Sequence, residues 1–192
     1  YDLSNIKLEG KMKDGKGEAN LAYTDDNLDL DSKLLMKLDS VSSKLALTLD
    51  MKGADLAALG LTPKAIKTKF NLRANFTGNK DNFDFHANID DGVAIYDQHS
   101  VPFGGFNAHA TVRKNLTQVQ IESSILDLDL NSNVSPSILT QVLKQHFNNY
   151  LSGTIQKGAL KPSVAMNIDM ALHNPPILKN VFLEGLEQMD SV

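Results

Sequence analysis

Five histidines, several closely spaced aspartates and a scatter of serines are the residues whose chemistry could be catalytic or metal-binding. His86 follows Phe85, and His109 lies between Ala108 and Ala110, so in an extended chain both imidazoles fall opposite those apolar side chains. Imidazole suits zinc, copper and nickel. No further ligand follows at a fixed spacing, so these two, with His99, His146 and His173, read as solvated surface histidines. Asp25, Asp26, Asn27, Asp29 and Asp31 offer the oxygen donors that calcium takes. An EF-hand loop needs Gly at its sixth position and a late Glu. Counted from Asp25 or Asp26, that position is Leu30 or Asp31, so the run reads as a turn leading into a wet strand face. Asp127 and Asp129 share a strand face and could form a carboxylate pair, but nothing beside them suggests a sugar site. No serine stands in a Gly-x-Ser-x-Gly elbow. Gly15-x-Gly17 sits in a hairpin and opens no helix, which argues against a phosphate loop. No nucleophile, base and metal set converges. The expectation is a protein that is not an enzyme and carries no cofactor or metal.

Composition narrows the classes further. Net charge is −4 over 192 residues and no basic run occurs, which makes nucleic acid a poor partner. There is no Cys, hence no disulfide, thiol nucleophile or cysteine metal site, as in the cytosol or in a periplasmic protein that avoids thiols. Trp is absent and aromatics are 6%, thin for a stacking platform. No apolar stretch approaches the roughly 20 residues of a membrane helix. The chain opens on Tyr1 without an initiator Met or leader, and a strand pattern starts almost at once; the expectation is an excised piece of a longer protein.

The elements that must hold these residues are one-faced strands. Ile6, Leu8, Gly10 and Met12 alternate with charged residues, and Asp14-Gly15-Lys16-Gly17 signals a hairpin. The same period of two recurs in Ala19 to Tyr23, Leu28 to Leu38, Leu45 to Met51, Ile66 to Phe76, Phe83 to Ile89, Phe106 to Val112, Val119 to Ser123, Leu126 to Leu130 and Val164 to Leu172. Asp91-Gly92 reads as a further turn, and Pro102 with Gly104-Gly105 as an interruption or bulge. Three passages switch to helical spacing: Ala54 to Gly60; Ser135 to Leu151, with Ser135 and Pro136 as cap and first turn; and Ile177 to Leu186 after Pro175-Pro176. This predicts roughly ten antiparallel strands in hairpin order with three short helices, a strand–turn–helix unit recurring loosely. No linker divides residues 1–192, which read as a single continuous body.

Each strand offers roughly three apolar side chains on one side, about thirty in all. A monomer seldom leaves an apolar patch beyond roughly 300–600 Å² uncovered. The face could close as a sandwich or barrel, be covered by the helices, or curl into a trough for an apolar ligand. The aromatic set Phe70, Phe76, Phe83, Phe85 and Phe106 is either ordinary core or the lining of such a trough.

The run Gly53-Ala54-Asp55-Leu56-Ala57-Ala58-Leu59-Gly60-Leu61-Thr62, between one-faced strands of which the second ends in Phe76-Thr77-Gly78-Asn79, resembles a segment of TamB-like proteins of Bacteroidetes type. Ser123 to Leu130, followed by Ser135 to Leu151, is similar to a strand-then-helix passage of the same proteins. The likeness covers roughly Leu45 to Leu151, with a weaker echo from Val164 to Leu186. It implies the AsmA-like family: an antiparallel sheet that is U-shaped in section, a β-taco, with an apolar inner face. The family is periplasmic and anchored in the inner membrane. It is thought to pass phospholipid toward the outer membrane and is linked to outer-membrane protein assembly. This chain would be an internal fragment of that longer repeat region, with phospholipid acyl chains as partner. Its contacts with outer-membrane assembly machinery would lie outside it. The groove lining implied is Phe70, Leu72, Phe76, Phe83, Phe85, Ile89, Phe106, Val112, Ile121, Leu126, Leu128 and Leu130. The three helices depart from a plain taco and would plug or cap the groove. Two rival readings remain at this point: an open-edged module that guides outer-membrane strands by β-augmentation, and a closed β-sandwich scaffold.

Overall fold

The computed structural model describes residues 5–103, 105–152 and 164–173. Eleven strands lie there in chain order: β1 (Ile6–Lys13), β2 (Lys16–Thr24), β3 (Leu28–Lys37), β4 (Ser43–Asp55), β5 (Ile66–Gly78), β6 (Phe83–Tyr96), β7 (His99–Pro102), β8 (Phe106–Arg113), β9 (Leu116–Glu122), β10 (Leu126–Ser132) and β11 (Met166–Leu172). They form one antiparallel sheet in the order β1-β2-β3-β4-β5-β6-β8-β9-β10-β11, with short β7 beside β6. Sequence neighbours pair because tight turns join them. Asp14 and Gly15 have φ of 50° and 72°, and Asp97 and Gln98 have 46° and 64°, the left-handed pairs that match a hairpin's twist. The sheet is curved and does not close, so among the described residues β1 and β11 are its two edges.

Two bulges keep the apolar face continuous. In β4, Lys52 is an extra residue: Met51 faces Leu30 and Phe70, and Ala54 is then brought opposite Leu28 and Thr68. In β6, Asp91 and Gly92 stand where β5 offers only Phe70. Asp91 has φ 52°, a conformation a short polar side chain tolerates. The turn expected at Asp91-Gly92 is therefore a bulge inside a 14-residue strand. It puts Ala94 opposite Thr68.

Buried apolar residues gather at the two ends of the strands. At one end Ile66 and Ala94, each 2% exposed, pack with Leu56, Tyr96, Val101, Phe103 and Ile125. Ile125 follows β9, which lies two strands beyond β6 and three beyond β5. Strands stand about 4.8 Å apart, so the β9–β10 connection reaches back toward β5 and β6. At the other end Val112, Thr117, Ser132, Val134 and Leu139 are buried where β10 meets α1 (Pro136–Ser152). The Thr117 hydroxyl donates to the Val134 carbonyl at 2.7 Å there.

Of the two expected helices that fall within the described residues, one forms as expected. Ala54 and Asp55 continue β4, paired with Thr68 and Lys67, so the passage to Gly60 is a compact turn and no helix. The Asp55 carboxylate accepts from the Ala58 N–H, its carbonyl accepts from Leu59, and Gly60 at φ 73° ends the turn. The passage Ile177 to Leu186 lies outside the described residues. Among the described residues the strand–turn–helix unit is thus seen once. The closed sandwich is also set aside, because the sheet is single and open and no second layer covers it among the described residues.

Candidate functional site: an uncovered apolar face

Register converts alternation into rows. One runs Leu8, Leu21, Ser32, Leu49, Leu72, Ile89, Phe106 across seven strands. The next crosses ten strands through Gly10, Ala19, Leu34, Leu47, Ala74, Ala87, Ala108, Ile121, Leu128 and Met170. A third crosses ten strands and includes Met36, Leu45, Phe76, Phe85, Val119, Leu130 and Ile168. Nine steps of about 4.8 Å give each long row a span of roughly 43 Å.

All twelve residues expected to line a groove lie on this one face. Leu72, Ile89 and Phe106 are directly opposite one another, as are Phe76 and Phe85, Phe83 and Val112, and Ile121 and Leu128. Leu130 lies opposite Val119, Leu126 opposite Leu172, and Phe70 opposite Met51. The Phe76 and Phe83 rings stand 5.4 Å apart, and Phe70 meets Phe103 edge-on at 6.4 Å. Val112 is the exception in exposure: at 4% it belongs to the buried β10–α1 junction and offers little surface. The other eleven are half-buried, shielded by their row neighbours. No large side chain of the described chain is fully buried.

Small residues add a feature that bulky-residue reasoning missed. Ala74, Ala87 and Ala108 are opposite one another on β5, β6 and β8. Walls of Leu72, Ile89 and Phe106 on one side and Phe76 and Phe85 on the other flank them. The walls are four residues apart along each strand, about 13 Å. The result is an alanine floor between two bulkier rows on β5 and β6, a furrow whose second wall gives way to Ala110 on β8. The signal was present as a shared alternation of alanine with polar residues, but only register shows that the alanines meet. Phe103 and Leu56 were missed as well, since neither sits in an alternating run.

The opposite face is polar, and many of its charges are paired within it. Glu18 takes Lys33 at 2.9 Å and Lys11 at 3.6 Å; the Lys33 ammonium first, then Asn20, hold its carboxyl below the usual range. Arg113 binds both oxygens of Asp84 at 3.0 and 2.8 Å, and Thr111 donates to the same carboxylate. His86 and His109, directly opposite, stack with centroids 3.9 Å apart. His173 bonds Asp127 at 2.8 Å, tying the end of β11 to the start of β10. His99 bonds the Asp97 carbonyl. The aspartate run is an Asx turn: the Asp25 carboxylate accepts from the Asn27 and Leu28 N–H groups and the Tyr23 hydroxyl, and Asp29 and Asp31 face Lys52. Asp129 takes Gln120 and Asn131. Among the described residues no three metal-ligating side chains converge, and no helix is long and apolar enough to cross a membrane.

The fold and this face define an open, curved, one-sided sheet whose long apolar surface has no layer over it among the described residues. Comparison of the chain with protein-family models, with curated proteins and with solved structures finds no match.

Proposed function

We propose that this chain is a lipid-shielding segment of a periplasmic bridge of the TamB/AsmA-like kind, from a protein anchored in the inner membrane. The observation that carries the reading is the continuity of the apolar rows across ten strands with no layer over them among the described residues. An acyl chain of about 16 carbons gains roughly 13 kcal/mol on leaving water, at about 0.8 kcal/mol per CH₂. Rows of leucine and phenylalanine supply that solvent, while the Lys/Asp face meets water. The mechanism is passive: an apolar strip along the sheet lowers the cost of moving a phospholipid tail between the two membranes, and no covalent step is involved.

The test is mass spectrometry of lipid carried by the purified protein. Phospholipid is expected with the unmutated chain, directly or after incubation with liposomes, and is expected to fall several-fold in Leu72→Asp and Phe85→Asp. A lipid-free unmutated protein after liposome incubation overturns the reading. A second reading has its own support in the two free edges: β1 is exposed along its whole length, and an added strand could pair there or on β11 during outer-membrane protein assembly. Crosslinking of an extended peptide to Lys7 or Lys11, and not to Leu72, would favour it.

A further inference from the structure

Register on the polar face brings together four lysines that are far apart in sequence. Lys13 lies opposite Lys16, Lys16 opposite Lys37, and Lys37 opposite Lys44, a single row over β1 to β4. Three inter-strand steps make it about 14 Å long. All four are exposed, and none has an ion-pair partner among the described residues. Like charges directly opposite one another destabilise a sheet. Nearby acids do not neutralise the row: Glu18, one row inward, is held by Lys33 and Lys11. Asp14 sits in the β1–β2 turn, and the Asp39 carboxylate, which accepts the Val41 N–H at 2.9 Å, also feels the Lys37 charge and offsets the row in part. Four positive charges thus stand against two negative ones, in a chain whose overall charge is −4.

Exposed aliphatics accompany the charge. Leu35, in the adjoining row on this wet face, is 45% exposed, and Leu38 and Val41 in the β3–β4 loop are 45% and 72% exposed. Lys16, Lys37 and Lys44 border a shallow depression of about 400 Å³ that Leu35 and Ala46 also line. Ammonium groups beside aliphatic side chains are the combination that an anionic bilayer surface takes. A free phosphate would use the ammoniums and leave the aliphatics exposed. The row has no Arg fork to read a nucleic acid.

We propose that this strand-end surface, Lys13, Lys16, Lys37 and Lys44 with Leu35, Leu38 and Val41, docks the protein on an anionic lipid bilayer. The surface is on the opposite side of the sheet from the leucine rows and stands independently of the lipid-shielding reading. Each lysine near such a surface contributes roughly fivefold in partitioning, and the attraction is screened when the Debye length shrinks at high salt.

The experiment is vesicle co-sedimentation with pure phosphatidylcholine vesicles and with vesicles holding about a third phosphatidylglycerol. Binding is expected only to the anionic vesicles and is lost in 0.5 M NaCl, about a 4 Å screening length. Lys16→Gln with Lys37→Gln is expected to weaken binding on the order of 25-fold. Lys16→Arg with Lys37→Arg is expected to keep it, with circular dichroism confirming that both variants fold. Lys67→Gln, a lysine exchange on the wet face of β5 outside this row, is expected to bind vesicles as the unmutated chain does, which separates this surface from charge elsewhere on the face. Equal binding to neutral vesicles, no loss in the glutamine variant, displacement by millimolar pyrophosphate at constant ionic strength, or equal affinity for a DNA duplex would each overturn the proposal.

Discussion

Asp84 lies in the row of β6 that faces water, and three groups hold it in its charged form. Arg113, first by its hydrogen bonds and then by its charge, keeps the carboxyl below its ordinary value of 3.8, with Thr111 and His109 adding to the effect. A depressed folded-state value adds stability that is present above 3.8 and is lost as the pH falls through the folded value. Asp84→Asn is therefore expected to lower the urea midpoint at pH 7, and the gap to the unmutated chain is expected to close as the pH falls below 3.8. A gap independent of pH would assign the effect to packing. Ala87 sits in the other row, on the floor of the furrow between Leu72 and Phe85. Ala87→Phe is expected to fill the furrow and cut bound phospholipid several-fold with little change in the melting point, read by lipid extraction and thermal unfolding. The residue types of both sites were legible in the sequence. That Asp84 meets Arg113, and that three alanines meet one another, was not, because partners 13 to 29 positions away are set by register.

Strands were the most legible elements, and the reason is physical. A face exposed to water on one side and apolar on the other leaves a period-two trace. Nearly every alternating run emerged as a strand with ends close to its turn residues. The errors fall where that trace is ambiguous. Ala54 to Gly60 is rich in helix-forming Ala and Leu, but pairing with β5 draws Ala54 and Asp55 into the sheet, leaving five residues, too few for a helix. Asp91-Gly92 carries a turn signature and is used as a bulge, since β5 continues past it to pair with Val93, Ala94 and Ile95. Gly78 shows how closely a turn can fix an element: its φ is 140°, and a Cβ there would stand 2.2 Å from the Asn82 carbonyl oxygen and 2.5 Å from the Phe83 Cα. Gly78→Ala is expected to destabilise the β5–β6 hairpin by about 1–3 kcal/mol, measured by chemical denaturation. A loss under 0.5 kcal/mol would mean that the turn relaxes without penalty.

The whole molecule has more apolar face than core. Among the described residues, the buried apolar side chains lie at the two strand ends, and about 43 Å of leucine, phenylalanine and alanine rows is shielded by neighbours in the same sheet. One-sidedness was legible from sequence; whether a second layer would cover it was not, because alternation reads the same in a sandwich and in an open trough. The absence of Cys makes the occupancy of this face directly measurable, since a single introduced thiol labels cleanly. A fluorophore placed through Leu72→Cys or Leu128→Cys, on the apolar rows, is compared with one placed through Arg73→Cys on the wet face. The chain is then mixed with phospholipid bearing a quencher on its acyl tail. Strong quenching at positions 72 and 128 with little at 73 is the predicted result; equal quenching at all three, or none at any, would contradict the account.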